Sequence, residues 1–354
     1  LEPQEGTVSG TFPEEPTTLE VSRPHYPRLR LQGDRTVADL AGDYLQEAGQ
    51  RLRPGSFKSV RYATELLVSH LGQEKMGQIT QAQGREVLGL ISRLSPNVRK
   101  YAAAGGQDLE GLAQLSGEVE THTLTPQTQA RIWEQMCGFL DWAQATGELS
   151  SNPWSKLRGA EGAEVSPHSV LTDAQVVTLL RAKDRVLHGA LLFGLLTGLR
   201  SGEIAGLEAA DIVSKGNPGR FLLVRPNSHR LLKSRAAERE VPLHPVLEGY
   251  LDRSLPRSGR LFPTLSVDRV VKAYARLRWV YPELRGTVFH STRKWFITQC
   301  ERTGVPEHFT ASLVGHQSAR SQNRLTYRLY SSGISDAQKR EIIDQIRLPE
   351  GVTP

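Results

Sequence analysis

The chain has 354 residues, 38% of them hydrophobic and 23% charged, which is enough apolar material for about two packed domains and too much for a disordered chain. No run approaches the roughly 18 apolar residues of a membrane span. Two widely separated cysteines, Cys137 and Cys300, exclude a disulfide framework or zinc-finger architecture and fit a reducing, cytoplasmic setting. Net charge is +6, unevenly spread. Residues 168–354 hold 28 Lys and Arg against 17 Asp and Glu, or +11, and the remainder is −5. A basic C-terminal part of this kind meets a polyanion or is a solvated surface, and charge alone does not decide.

Residues 1–35 are rich in proline (Pro3, Pro13, Pro16, Pro24, Pro27) and read as a leader without its own core, or as the remnant of an N-terminal arm. The start, Leu1-Glu2-Pro3-Gln4, has neither the basic head nor the apolar stretch of a signal peptide, and it lacks Met, so the natural start is expected upstream. Residues 36–157 read as helical. Apolar stripes recur at Val37, Leu40, Ala41, Tyr44 and Leu45, at Val60, Leu67, Val68 and Leu71, and at Val87, Leu88, Leu90, Ile91 and Leu94. A fourth, at Ile132, Met136, Phe139, Leu140 and Ala143, ends near Gly147. Residues 95–125 are polar, with Gly105-Gly106, and read as a loop with a short helix. The stretch 158–170 is the expected linker.

After the linker, Thr172 and Gln175 have the spacing of a capping box. Residues Ala190 to Leu199 are nearly all apolar, as in a buried helix. Phe221–Arg225, Arg230–Lys233 and Arg239–Leu243 read as three short strands. Helical patterns follow at 246–254, 266–279, 290–303, 306–314, about 319–330 and 336–347. The expected fold class is mainly α with a small antiparallel β-sheet. A helical domain (36–157) precedes a catalytic domain (171–354) that ends in a C-terminal helix.

Several polar residues stand against this apolar background. Arg200 follows the buried helix, and Glu203 is its obvious partner. His290 and Arg293, at i and i+3, share a helical face, while Trp295 and Phe296 turn toward the core. Gly315-His316 has the form of a helix C-cap, and Tyr327 and Tyr330 share a face further on. Each is weak alone. Together, Arg200, Lys233, His290-x-x-Arg293, Gly315-His316 and Tyr330 stand in an order that resembles the catalytic signature of the tyrosine recombinases, the phage-integrase family. The stretch from Leu124-Thr-Pro-Gln-Thr through Phe139-Leu-Asp-Trp to Asn152-Pro153 resembles the end of that family's core-binding domain.

The resemblance implies a two-domain DNA clamp. It makes Arg200 and Arg293 phosphate ligands, with Glu203 as the usual acidic neighbour. Lys233 becomes the acid that protonates the leaving 5′ oxygen, His290 the base, and His316 a hydrogen-bonding partner of the phosphate. Tyr330 becomes the nucleophile. Family members often place the tyrosine about nine residues after the Gly-His histidine. Leu325 stands there, and Tyr327 and Tyr330 lie eleven and fourteen residues on, which keeps Tyr327 as the alternative. Two planar guanidiniums on the non-bridging oxygens do the work that metal ions do elsewhere. There is no acidic triad for Mg²⁺ and no phosphate-cradling Gly-x-x-x-x-Gly-Lys loop, so no cofactor is implied. The implied partner is double-stranded DNA with inverted core sites. On it a homotetramer assembles from protomers that associate weakly or not at all without DNA, with accessory DNA-bending or directionality proteins and no membrane. The setting is the bacterial cytoplasm and nucleoid. Candidate DNA contacts in the helical domain are Arg51, Arg53, Lys58, Arg61, Arg99 and Lys100. The C-terminal helix docks either on a neighbouring protomer or on its own domain. Rival readings are a type IB topoisomerase and a DNA-binding regulator that has lost catalysis.

Overall fold

The computed structural model describes residues 32–119, 122–159, 168–232, 237–316 and 334–352. Lys233, Tyr327, Tyr330 and the helix expected at 319–330 lie outside them, as do 1–31 of the leader and 160–167 of the linker. The chain divides into two compact units, Leu1–Val165 and Ser166–Pro354, each with its own core.

The first unit is all helical: α1 (Val37–Arg51), α2 (Pro54–Leu71), α3 (Gln81–Arg93), α4 (Leu109–Val119) and α5 (Pro126–Ala145). Local chemistry sets the ends. Thr36, Thr80 and Thr125 each accept a backbone N–H as N-caps, and prolines at the first positions of α2 and α5 need no partner there. The four apolar stripes meet in one core, with Leu40, Leu66, Met76, Val87 and Phe139 fully buried. The polar stretch 95–125 holds α4, whose Leu109, Leu112 and Ala113 join that core. The Asn152-Pro153 turn is built in: Asn152 Oδ1 accepts from the Trp154 N–H at 2.8 Å, and its amide donates to Asp141 at 2.7 Å. Trp154 thereby enters the core, stacked on Trp133 at 5.0 Å.

The second unit carries α6 (Asp173–Arg181), α7 (His188–Thr197), α8 (Ser201–Ala205), β1 (Ile212–Ser214), β2 (Arg220–Val224), β3 (Arg239–Pro242), α9 (Pro245–Ser254), α10 (Val267–Val280), α11 (Ser291–Arg302), α12 (Glu307–Val314) and α13 (Asp336–Gln345). The capping box at Thr172–Gln175 is present. Helix α7 is buried all round, as its unbroken apolar composition demands, and packs against α11, with Gly194 against Thr292 and against Phe289 just ahead of that helix. The expected class, mainly α with a small antiparallel sheet, is what forms.

Two local expectations are corrected. The sheet has the order β1-β2-β3, antiparallel throughout, with Ile212 opposite Leu222 and Leu222 opposite Val241. Its third strand is Ile212–Ser214; of the strand expected at Arg230–Lys233, the described residues 230–232 form none. Both edges of β2 are already taken, and within the described residues Arg230 makes only an isolated bridge to Asn227. The Arg230 side chain is drawn inward to Asp211 instead, and Leu231 is left 69% exposed. The buried helix also ends earlier than Leu199. Gly198 takes φ +64, and a Cβ there would lie 2.7 Å from Phe296 Cδ1 and 3.0 Å from Val314 Cγ1. Arg200 therefore starts the next helix rather than ending this one.

Helix α13 packs on its own unit. Ile342, Ile343 and Ile346 are buried in the core, and His244 Nε2 lies 3.0 Å from the Ile346 carbonyl. Arg340 donates to the Pro218 and Arg220 carbonyls at 2.8 Å each and to Leu243 at 2.5 Å. Lys215, between β1 and β2, pairs with Glu240 and with Asp336 (2.7 Å).

Candidate active site

The site lies in the second unit, where the ends of α7 and α12 meet the starts of α8 and α11. Arg293 is the innermost member. It stands in the first turn of α11 and is 1% exposed. Its Nη1 donates to the Gly198 carbonyl at 2.6 Å and its Nη2 to the Val314 carbonyl at 2.5 Å. These are C-terminal carbonyls of α7 and α12, left over where each helix turns into a left-handed glycine, Gly198 or Gly315. Helix ends of this kind attract cations. Arg293 has no carboxylate partner among the described residues, and its buried Nε has no partner there either. Burial, reinforced by repulsion from Arg200 and Arg239 and opposed by Glu203, pushes its pKa down to about 9. It remains a cation at neutral pH.

Arg200 and Glu203 form the rim of the site. The Arg200 backbone N–H donates to Glu203 Oε2 at 2.9 Å, which caps α8, and Arg200 Nη1 donates to Oε1 at 2.9 Å. The Arg200 side chain keeps 23% exposure, while that of Glu203 keeps 6%. Burial alone would raise the Glu203 carboxyl, but Arg239 and Arg200 outweigh it and bring it down to about 2.

His290 and His316 complete the cluster. His290 stands at the N-cap of α11, three residues before Arg293, and is exposed. His316 follows Gly315, and its backbone N–H donates to Ala311 at 2.9 Å. Burial lowers the proton affinity of His316 below that of an ordinary histidine, and Arg293, Arg200, His290 and Arg239 lower it further. Arg200, Glu203, His290, Arg293 and His316, separated by up to 116 positions in the chain, are thus brought into one neighbourhood.

One residue that sequence reasoning missed belongs to it. Arg239, the first residue of β3, donates to both Glu203 oxygens (Nη1 to Oε1 at 3.2 Å, Nη2 to Oε2 at 2.9 Å) and from Nε to the Leu313 carbonyl at 2.6 Å. The signal was available: Arg239 alternates with Val241, so the two share the inward face of the strand. Below it lies a second network. Arg230 and Arg225 both hold the fully buried Asp211 carboxylate, at 3.1 and 3.0 Å, and Arg230 Nη1 reaches the Glu203 carbonyl at 3.3 Å.

The electrostatic balance is simple. Arg200, Arg239 and Arg293 face one carboxylate, Glu203, which leaves +2 before either histidine is counted. A surplus of fixed, preorganised N–H donors at the mouth of two helix C-termini is suited to a bound anion with several oxygens. The candidate DNA contacts of the first unit are all among the described residues. Arg51, Arg53, Lys58 and Arg61 are exposed at the α1–α2 turn and along α2. Arg99 stacks over Tyr62 at 4.9 Å and shares Glu65 with Arg61, and Lys100 donates to Asn97.

No protein-family profile matches the chain, and neither does any curated protein. Solved structures do. Lambda integrase as a dimer bound to a COC′ core site is 18% identical over 80% of this chain and 96% of the other, with a TM-score of 0.56. Lambda integrase as a tetramer bound to a Holliday junction is 16% identical over 86% of each chain, TM-score 0.57. The Tn1549 transposon integrase in complex with circular intermediate DNA is 17% identical over 87% of this chain and 99% of the other, TM-score 0.55. Identities this low carry architecture alone, and on that footing the chain has the fold of the phage and transposon integrases.

Proposed function

We propose that this protein is a site-specific DNA recombinase that cuts and rejoins DNA through a 3′-phosphotyrosine intermediate, moving a phage or other mobile element into or out of a chromosome. The observation that carries the reading is Arg293: a buried guanidinium with no carboxylate of its own among the described residues, beside Arg200, His290 and His316. A protein core holds such a charge only at a cost of several kcal/mol unless it has an anion to meet. A phosphodiester supplies the anion, and its transition state, with extra charge on the non-bridging oxygens, supplies more. The DNA-bound integrases with this fold support DNA as the partner.

In the proposed reaction the Tyr330 oxygen attacks the phosphorus and the 5′ oxygen leaves. His290 takes the tyrosine proton and Lys233 gives one to the leaving oxygen. Arg200 and Arg293 bind the phosphorane oxygens, and His316 adds a hydrogen bond. The phosphotyrosine ester keeps the bond energy, and a 5′-hydroxyl from another strand attacks it to reseal the DNA. No metal ion or nucleotide takes part in this scheme. Residues 36–157 act as the core-binding domain, with Arg51, Arg53, Lys58, Arg61, Arg99 and Lys100 as phosphate contacts, and a tetramer forms on paired sites.

The test is a suicide DNA substrate, nicked near the scissile phosphate and incubated without metal or ATP. The wild-type chain is expected to give a protein–DNA adduct that survives SDS. Tyr330→Phe is expected to abolish it and Tyr327→Phe to leave it. The reverse pattern moves the nucleophile to Tyr327. No adduct from wild type on the element's own ends sinks the reading in favour of a non-catalytic DNA-binding protein. Relaxation of a plasmid without a target site would instead favour a type IB topoisomerase.

A further inference from the structure

We propose that Arg239 is a positioning residue for this reaction: by saturating the Glu203 carboxylate, it keeps Arg200 available to the phosphate. The proposal rests on the function just argued. Glu203 is 5% exposed and accepts four hydrogen bonds, two on each oxygen. Arg239 supplies two of them in the forked geometry that guanidinium and carboxylate share. Arg200 supplies the others, but one comes from its backbone, so Glu203 engages only Nη1 of its side chain. The carboxylate therefore leans on Arg239, which is buried, and spares Arg200, which keeps 23% of its side chain open.

Removing the Arg239 guanidinium changes the balance at the mouth of the site. Glu203 stays ionised, because Arg200 remains beside it, and its whole charge then falls on Arg200. The net charge of the three remaining groups, Arg200, Arg293 and Glu203, is +1 where it was +2 with Arg239. The ligand then competes with Glu203 for the same guanidinium. A purely structural role for Arg239 predicts something different. Its contacts with the Leu313 and Ala237 carbonyls tie the end of α12 to the start of β3. Losing those loosens the Gly315-His316 turn, and no change at Glu203 repairs that.

The two roles separate in a double-variant cycle. Arg239→Met, Glu203→Gln and the pair are compared with wild type in single-turnover cleavage of the nicked suicide substrate. DNA affinity and thermal melting are measured alongside. Arg239→Met is expected to slow cleavage by at least about tenfold, short of the ~10²–10³-fold loss of a donor that touches the transition state. Its DNA affinity is expected to stay within about threefold, since many phosphate contacts share the binding. Adding Glu203→Gln restores +2 and is expected to recover at least about fivefold of the lost rate, whereas two independent structural losses would add. A pair no faster than Arg239→Met overturns the proposal, as does an Arg239→Met chain that cleaves at the wild-type rate. Should Arg239→Met fail to fold, Arg239→Lys serves: it keeps a cation on Glu203 and loses the carbonyl contacts. It is expected to cleave within a few-fold of wild type, and a loss above about tenfold with an unchanged melting temperature overturns the proposal. Absence of a wild-type adduct overturns the recombinase reading itself. An adduct without rescue overturns only the role of Arg239.

Discussion

Replacing Arg293 by Met is expected to separate activity from stability. Folding strips the guanidinium of water and gives it two carbonyls but, among the described residues, no counter-charge of its own. A fall in pKa from 12.5 to about 9 corresponds to roughly 5 kcal/mol by which the fold disfavours the charged side chain. Met, of similar length and without charge, removes that penalty. It also orphans the Gly198 and Val314 carbonyls, at about 1–3 kcal/mol each. The balance runs from a loss of about 1 to a gain of about 3 kcal/mol, and at roughly 2–4 °C per kcal/mol the melting temperature is expected to lie between about 4 °C below and about 12 °C above that of wild type. Cleavage is expected to fall ~10²–10³-fold or more, because a donor aimed at the transition state is gone. The assay pairs thermal melting of the free protein at pH 7 with single-turnover cleavage. A drop in melting temperature beyond about 6 °C would refute the reasoning, since it would mean that Arg293 holds the fold together rather than straining it.

Three further expectations follow from neighbouring groups. The folded value for the Glu203 carboxyl, about 2, lies below its ordinary 4.5, so its contribution is present above pH 4.5 and lost as pH falls toward 2. Glu203→Gln lacks it. The stability gap between wild type and variant is therefore expected to close by roughly 3 kcal/mol between pH 5 and pH 2, read from denaturant curves. Asp211→Asn leaves the buried Arg230 without a counter-charge and is expected to cost about 3–5 kcal/mol, again from denaturant curves; a cost below about 1 kcal/mol would contradict the network. Gly315→Ala puts a Cβ 2.9 Å from Arg239 Nη1 and 3.0 Å from Ala237 Cα at φ +66. About 1–2 kcal/mol of backbone strain is expected, with a cleavage defect larger than the melting shift implies, because His316 is the next residue.

How far the sequence could be read depends on the range of the forces involved. The helices of the first unit were legible because each is written locally: a threonine or a proline at the start, an apolar stripe after it. Helix α4 was only half visible, since Gly111 and Gly117 weaken its helical signal and it is long-range contact with α3 that holds it. The strand at Arg230–Lys233 was misplaced for a similar reason. A run of Arg-Leu-Leu-Lys looks like a strand until Asp211, nineteen residues back, takes the arginine. The motif residues Arg200, Glu203, His290, Arg293 and His316 were found as an ordered set, because spacing records order well. Partnership was harder. Glu203 was assigned to Arg200, its neighbour in sequence, and it does bind it, but Arg239, thirty-six residues away, supplies as many hydrogen bonds to the carboxylate and two of the three that come from side chains.

That difference alters the chemistry expected of the site. With Glu203 matched to Arg200 alone, the rim is neutral and, of these guanidiniums, Arg293 is the one left for a phosphate. With Arg239 on Glu203, the pair at the rim becomes a triad of net +1, and Arg200 regains its charge as seen by a ligand. Two guanidiniums can then act on one phosphorane, one fixed by helix-end carbonyls and one held through a shared carboxylate. The same arrangement explains why Arg293 has no carboxylate of its own among the described residues. Glu203, the carboxylate of the site, is bound by two other arginines, and Arg293 is held by the Gly198 and Val314 carbonyls instead.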